Sequence, residues 1–183
     1  RYVRAAAAPG MMKLGAHVSV AGGLHNGVAE ALAIGADTFQ MFSKNQRQWI
    51  SKPLTDEQRD QFRTALAESG LGPVMIHDSY LINMGSPDET KGKRAQHAFL
   101  EEYRRCEALG VPYLNFHPGS HTHPQKSMRD DPTTREAALE RIVGHINTTL
   151  AKTEGFESLL VLENAAGQGT NVGITFGELA HIL

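Results

Sequence analysis

Cysteine is almost absent from this sequence: Cys106 is the single example among 183 residues. One cysteine excludes an internal disulfide, and this usage fits a reducing compartment, so we expect a cytoplasmic location. Cys106 falls inside a helical pattern, where a free thiol usually packs as a small hydrophobic group. The stability of the fold must therefore come from its apolar core.

Long hydrophobic runs are also missing. No stretch approaches the roughly 18 apolar residues that a membrane-spanning helix needs, so we expect no membrane association. The first ten residues contain arginines and alanines but lack the strongly apolar segment of a secretory signal. We interpret residues 1–11 as an N-terminal tail and residues 12–183 as one domain, a length that suits a single globular unit.

Charge of either sign is in little excess. Lys and Arg together number 18 and Asp and Glu 20, which gives a formal net charge of −2. This balance supplies no long-range attraction to nucleic acid, so any contact with phosphate has to come from local basic loops. The hydrophobic content of 40% is ordinary for a globular domain and allows a sizeable core.

Five strand-like apolar runs alternate with helical patterns along the chain. The predicted strands cover residues 13–18 and 38–42 and three later runs that end at His77, His117 and Glu163. Apolar spacing and capping residues predict helices over residues 24–34, 55–70, 91–109 and 132–152, with another that begins near residue 176. Thr55 and Gln58 have the spacing of a capping box at the start of the second helix.

This repetition of strand and helix predicts an α/β fold with parallel strands. Right-handed crossovers would lay the five strands side by side in chain order, as the first five of the eight strands of a (β/α)8 TIM barrel. Because a complete barrel needs about 250 residues, we expect this chain to be the first part of a longer protein. A doubly wound sheet is the alternative, but no Gly-x-Gly-x-x-Gly motif follows the first strand.

Metal-capable side chains end several of the predicted strands. His77, His117 and Glu163 stand where the third, fourth and fifth strands open into loops. Since the carboxyl ends of parallel strands meet on one face of a barrel, two imidazoles and a carboxylate can converge there on a zinc ion. His17 ends the first strand in the same way. For each histidine taken alone, a structural role is the alternative.

The other histidines receive plainer interpretations. His121 and His123 have the spacing of a metal-binding His-x-His pair, but they lie beyond a strand end, and we predict a solvated loop. Four more lie within helices or at the start of one and are expected to be surface or packing residues: His25, His97, His145 and His181.

The loop after the second strand mixes positive charge, amides and an aromatic ring over residues 44–49 (KNQRQW). Such a mixture can hold phosphates and fill a gap in a base stack. Its composition alone favours another interpretation, a solvated loop whose Trp49 is anchored in the core.

Five motifs occur in order along the chain. They are residues 15–23 (GAHVSVAGG), 44–49 (KNQRQW), 77–83 (HDSYLIN), 114–121 (LNFHPGSH) and 163–169 (ENAAGQG). Together, over residues 12–183, they resemble the endonuclease IV family of zinc-dependent apurinic/apyrimidinic endonucleases. The resemblance implies a TIM barrel with three zinc ions, monomeric at full length. Such an enzyme hydrolyses the phosphodiester 5′ to an abasic site in duplex DNA and leaves a 3′-hydroxyl.

The resemblance also implies roles for individual residues. His77 and His117 would bind one zinc ion, and Glu163 would be the catalytic carboxylate that bridges this ion to a second. Arg47 and Tyr80 would enter the minor groove and hold the abasic nucleotide flipped out of the helix. Further DNA contacts are implied for Asn45, Gln46, Gln48 and His17. The other ligands of the second and third zinc ions belong to later strands of the family, so this chain carries at most one complete ligand set.

Two other functions are open at this point. A metal-dependent sugar isomerase on the same type of barrel would share the strand-end histidines and carboxylates, but it should lack the wedge loop that carries Arg47. A half-barrel that pairs with a partner chain would serve assembly or binding without catalysis. The order and spacing of the five motifs favour the endonuclease.

Overall fold

A computed structural model describes residues 12–183, and the predicted tail of residues 1–11 lies outside this range. The strands are β1 (Gly15–His17), β2 (Thr38–Phe42), β3 (Met75–His77), β4 (Tyr113–Phe116) and β5 (Leu159–Leu162). The helices are α1 (Leu24–Ala33), α2 (Asp56–Ser69), α3 (Glu89–Leu109), α4 (Pro132–Ala151) and α5 (Phe176–Ile182), and a short 3-10 helix covers Lys126–Met128. Strand and helix alternate as predicted, with boundaries that differ from the prediction by one or two residues.

The five strands form one parallel sheet in the order β1-β2-β3-β4-β5. Register pairs run straight across it: Phe42 lies beside His77, and His77 lies beside Asn115. Neighbouring residues in register point to the same face, so these three side chains share the concave face of the sheet. The predicted arrangement, the first five βα units of a TIM barrel, is confirmed.

Local sequence signals set the ends of the helices. The Thr55 hydroxyl accepts a hydrogen bond from the Gln58 amide at 3.2 Å, and the Gln58 side chain accepts one from the Thr55 amide, which confirms the capping box. Gly70 and Gly110 end α2 and α3 with φ angles of 69° and 67°, a left-handed conformation that glycine adopts without steric cost. Among residues 12–183, no helix combines the length and hydropathy needed to cross a membrane.

The core lies between the outer face of the sheet and the helices. Alternate strand residues are buried there against large side chains of α2 and α3, and the ring centroids of Phe99 and Phe116 are 4.9 Å apart. This layer includes Phe39, Met41, Phe62, Ile76 and Leu114. It fixes the strands in register and thereby fixes the loops at their carboxyl ends.

The concave face of the sheet is more open. Gln40, Phe42, Met75 and Tyr113 are only half-buried, and all three residues of β1 are exposed. Within the described part of the chain, β1 pairs only with β2 and β5 pairs only with β4. Because this face of the sheet is only partly covered, the loops that follow the strands line an open cleft.

Candidate metal centre

The ends of β3, β4 and β5 bring His77, His117 and Glu163 together at the carboxyl end of the sheet. His77 is the last residue of β3, while the other two come directly after β4 and β5. One ligand atom from each side chain lies within 4.8 Å of those of the other two. The imidazole rings are 5.1 Å apart between centroids. The predicted convergence of these side chains is thus present in the folded chain.

Backbone and side-chain contacts orient the first histidine. Nδ1 of His77 donates to the backbone carbonyl of Asp78 at 2.8 Å. In the neutral imidazole this bond places the proton on Nδ1 and the lone pair on Nε2, and Nε2 lies 3.5 Å from Oε2 of Glu163. The free nitrogen of His77 therefore faces the carboxylate across the space that a metal ion would fill.

Glu163 is held by a residue that the sequence did not single out. Asn115 of β4 donates from Nδ2 to Oε2 of Glu163, and the amide of Glu163 donates to the carbonyl of Phe116 at 3.0 Å. The available signal was strand alternation, since Asn115 precedes His117 by two residues and so points to the same face. A polar side chain such as Asn115 in a buried strand is therefore a candidate hydrogen-bond partner for a metal ligand.

The donor set fits a divalent metal ion. Two imidazole nitrogens and one carboxylate oxygen are ligands that zinc accepts, and three protein ligands leave a coordination position for substrate or water. His77 is buried, whereas 41% of the Glu163 side chain is exposed, so one side of the triad opens to solvent. The arrangement can hold an ion at the bottom of a cleft that a large substrate can reach.

His17 lies beside the triad and not within it. Its Nδ1 donates to Oε1 of Gln40 at 3.2 Å, and its ring is 4.4 Å from that of Phe42 and 6.3 Å from that of His77. Burial lowers the pKa of His17 from its usual value; the hydrogen bond to Gln40 opposes this shift, and the nearby His77 adds to it. The imidazole is exposed on β1, where it could meet a ligand that enters the cleft.

Tyr80 is 65% exposed and leans over both histidines of the triad. Its ring centroid is 5.4 Å from that of His77 and 6.0 Å from that of His117. It also lines a cavity of about 460 Å³ beside His117, together with Asn83 and Ser120. An exposed aromatic ring at this place can contact a flat or extruded group of a substrate.

The loop of residues 43–54, which we name the β2 loop, presents most of the other predicted DNA contacts. Asn45, Arg47 and Gln48 are exposed at its tip, where the Asn45 side chain accepts a hydrogen bond from the Arg47 amide at 3.0 Å. Trp49 instead packs on the core, with the guanidinium of Arg94 4.4 Å above its ring. The structure thus has the anchored Trp49 that composition alone favours, while the tip of the same loop is exposed.

Gln46 joins the β2 loop to the loop after β3. Its carbonyl accepts a hydrogen bond from the Ser79 hydroxyl at 2.7 Å. Its side-chain Oε1 is buried and has no hydrogen-bond partner among the residues that the structure describes. The residue thus contributes its backbone to the joint between two loops and leaves an amide oxygen unused.

The solvated position predicted for His121 is wrong. His121 is 1% exposed, its Nε2 donates to the carbonyl of Arg129 at 3.1 Å, and its Nδ1 accepts from the amide of His123. The ring closes the loop after β4 by bonding its backbone on both sides, which sequence spacing does not reveal. His97 and His181 are exposed, and the latter pairs with Glu140 at 2.8 Å.

Comparison with known proteins identifies the barrel. A family model described as "Xylose isomerase-like TIM barrel" matches residues 28–183. This chain belongs to the xylose isomerase-like TIM barrel family. It is 47% identical over 175 residues to a "Probable endonuclease 4" of Phocaeicola vulgatus, a match that covers 94% of this chain and 59% of the relative. The chain therefore spans about three fifths of the curated relative's length.

Solved structures agree with this membership in the xylose isomerase-like TIM barrel family. Endonuclease IV from Thermus thermophilus superposes with a TM-score of 0.77 at 30% identity, over 93% of this chain and 58% of that one. A D-tagatose 3-epimerase-like protein superposes with a TM-score of 0.72 at 14% identity, over 94% of this chain and 60% of that one. The second likeness is one of fold alone.

One buried carboxyl in this xylose isomerase-like barrel stands out beside the triad. Asp78 is 2% exposed, and its Oδ2 has no hydrogen-bond partner among residues 12–183. Burial raises the pKa of Asp78 well above its usual value, and the charge of Glu102 adds to the shift while Lys44 opposes it. Asp78 was not predicted as a functional residue, since only the fold shows that this neighbour of His77 is buried with an unpartnered carboxyl oxygen among residues 12–183.

Proposed function

We propose that this chain is the part of a DNA-repair endonuclease that carries one metal site and two DNA-contacting loops. The enzyme would hydrolyse the phosphodiester 5′ to an abasic site in duplex DNA. One observation carries the proposal: His77, His117 and Glu163 converge in a chain that is 47% identical to a probable endonuclease 4. Since the chain spans 59% of that relative, the complete reaction is assigned to the complete barrel.

Zinc is the metal that we propose for the triad. Two imidazoles and a carboxylate with an open position are the ligand pattern of catalytic zinc sites. Bound zinc supplies Lewis acidity, which polarises a phosphate oxygen and acidifies a water molecule. His77 and His117 would hold the ion, and Glu163 would bridge it to the second of three zinc ions. Asn115 would keep the Glu163 carboxylate in the orientation that this requires.

Recognition of duplex DNA is proposed for the exposed residues around the cleft. The net charge of −2 gives no general attraction to DNA. We therefore assign the attraction for phosphate to the exposed guanidinium of Arg47. Tyr80 stands over the triad, where it could fill the space that an abasic nucleotide leaves when it turns out of the stack. Supporting contacts are proposed for the exposed Asn45, Gln48 and His17 and for the half-buried Gln46.

Binding to two duplexes that differ at one nucleotide tests this proposal. Zinc-loaded protein is titrated into a labelled duplex with a tetrahydrofuran abasic analogue and into the intact duplex of the same sequence. We expect the abasic duplex to bind at least about tenfold more tightly, because extrusion is cheapest where no base is stacked or paired. Incision of the abasic strand, read on a gel with a 3′-hydroxyl product, is expected of the complete barrel.

Equal affinity for the two duplexes would contradict the proposal. Turnover of a ketohexose by the metal-loaded protein would then favour a sugar isomerase. A complex of defined stoichiometry with a partner chain, seen by light scattering and combined with no preference for abasic DNA, would favour a half-barrel that serves assembly. The three results are distinguishable in the same preparation.

A further inference from the structure

A buried charge on α3 lies directly behind the β2 loop. Glu102 is 1% exposed and occupies the core-facing side of the helix, among apolar neighbours such as Phe99, Tyr103 and Cys106. Burial of a carboxylate is costly even when it is paired, and an apolar residue of similar size often serves stability as well or better. A carboxylate at this position therefore suggests a role in fixing one particular conformation.

Among residues 12–183, the side-chain hydrogen bond and the ion pair of Glu102 both go to the start of the β2 loop. Its Oε2 accepts a hydrogen bond from the hydroxyl of Ser43, and its Oε1 lies 3.4 Å from Nζ of Lys44. The Lys44 side chain is 5% exposed, so water screens this pair little. The two residues that lead from β2 into the loop are thus bound to one buried group.

Arg105, one turn along the same helix, joins the start of the β2 loop to residues near its end. Its Nη2 donates to the carbonyl of Ser43 at 2.6 Å, its Nε donates to the Ser43 hydroxyl at 3.1 Å, and its Nη1 donates to the carbonyl of Lys52 at 3.4 Å. One guanidinium therefore bonds both ends of the β2 loop. Because Ser43 links Arg105 to Glu102, the charges form one connected network.

The exposed tip of the β2 loop lies between two residues that α3 holds in place, Lys44 and Trp49. Arg47 and Gln48 lie between Lys44, which Glu102 holds, and Trp49, over which Arg94 of α3 packs. The Gln46 carbonyl adds a bond to Ser79 at 2.7 Å, next to Tyr80. A change in the Glu102 network would therefore move the tip as well as the joint with the neighbouring loop.

We infer that Glu102 is a positioning residue for DNA binding, which acts by holding the β2 loop so that Arg47 meets the duplex. This inference rests on the proposed function, because it assigns a purpose to the loop that the proposal uses. Glu102 itself does not touch the substrate. The contacts of Glu102 and Arg105 on α3 thus determine the position of the β2 loop, and the β2 loop determines where Arg47 lies at the cleft.

Glu102→Gln is the variant that tests the inference, with Glu101→Gln as its matched control. Glutamine keeps an oxygen acceptor for Ser43 but removes the charge that pairs with Lys44. Glu101 loses the same charge on the same helix, yet it is partly exposed and pairs with Arg104 at 2.9 Å. Trp49 is the single tryptophan of the chain, so its fluorescence reports the loop directly.

We expect Glu102→Gln to bind the abasic duplex about tenfold more weakly, since displacement of a contact group by about 1 Å is costly. Its Trp49 emission should shift and become more accessible to acrylamide, while its zinc content stays that of the wild type. Glu101→Gln should match the wild type in all three measurements. Wild-type affinity in Glu102→Gln, or an equal loss in Glu101→Gln, would overturn the inference.

A double variant without the Glu102–Lys44 ion pair separates positioning from simple destabilisation. Glu102→Gln leaves the buried Lys44 without its counter-charge, so its thermal unfolding midpoint should fall. Lys44→Met with Glu102→Leu removes both charges of the pair, so its midpoint should lie closer to that of the wild type. DNA binding should remain weak, because the start of the loop has lost its bonds to Glu102. Recovery of tight binding in this variant would overturn the inference. If the wild type itself fails to prefer abasic DNA, the proposed function is refuted first, and the role of Glu102 with it.

Discussion

Asn115 and Glu163 are 48 residues apart in the chain and are joined by a hydrogen bond from Nδ2 to Oε2 at the carboxyl ends of β4 and β5. This bond orients the proposed bridging carboxylate. Such outer partners of a ligand restrict its rotamers and tune its basicity. The bond gives the strand that carries Asn115 a direct effect on the proposed metal site.

Replacement of Asn115 by leucine is expected to weaken zinc binding by about 10- to 100-fold, the usual cost of losing a partner of a metal ligand. Leucine is similar in size, so the strand should remain packed. Competition with a chromophoric chelator measures the affinity. Asn147→Leu, at an exposed position of α4, is the control. An unchanged affinity for Asn115→Leu would show that Glu163 needs no such support.

Removal of one proposed ligand should empty the site. We expect about one tightly held zinc ion per chain in the wild type and none in His117→Ala, since two remaining ligands bind zinc poorly. Elemental analysis after gel filtration measures the content. His97→Ala removes an exposed histidine of α3 and should keep the metal. Equal zinc in the wild type and in His117→Ala would exclude this triad as the site.

Loss of the Arg47 guanidinium should weaken binding to the abasic duplex. If Arg47 neutralises one phosphate, the slope of log affinity against log salt should decrease in magnitude by about 1 in Arg47→Ala. Fluorescence anisotropy over a series of salt concentrations measures this slope. Arg59→Ala on α2, where the arginine pairs with Asp56 and Asp60, is the control. Affinity unchanged in Arg47→Ala would favour a sugar isomerase.

Cys106 should make the fold sensitive to alkaline pH. Burial raises the pKa of its thiol to about 12, whereas an unfolded thiol ionises near pH 8.5. The folded state therefore holds the proton more strongly, and this contribution to stability is lost as the pH rises from about 8.5 towards 12. At pH 10 the loss is about 2 kcal/mol.

Urea unfolding at pH 7 and pH 10 measures this effect. The free energy of unfolding should fall more in the wild type than in Cys106→Ala, because alanine has no thiol to ionise. Native protein should also react slowly with a thiol reagent at pH 8, since Cys106 is fully buried and its sulfur donates to the Val111 carbonyl. Equal losses in the two proteins would mean that the thiol is ionised in the folded state.

The sequence by itself determined the elements of this protein. Alternation of strand and helix, the capping box at Thr55 and the glycine that ends α3 are local signals, since each depends on residues within a few positions. The gathering of His77, His117 and Glu163 also followed, because parallel strands in chain order put their carboxyl ends on one face. Periodicity and topology were enough for these features.

The tertiary structure alone decided which polar groups are partners. Glu102 meets Ser43 across 59 residues, and Asn115 meets Glu163 across 48. His121 is buried although its loop looks solvated, because its ring bonds the backbone of that same loop. Such contacts depend on the packing of distant segments, which no local pattern encodes, so the supports of the site became visible only in the folded chain.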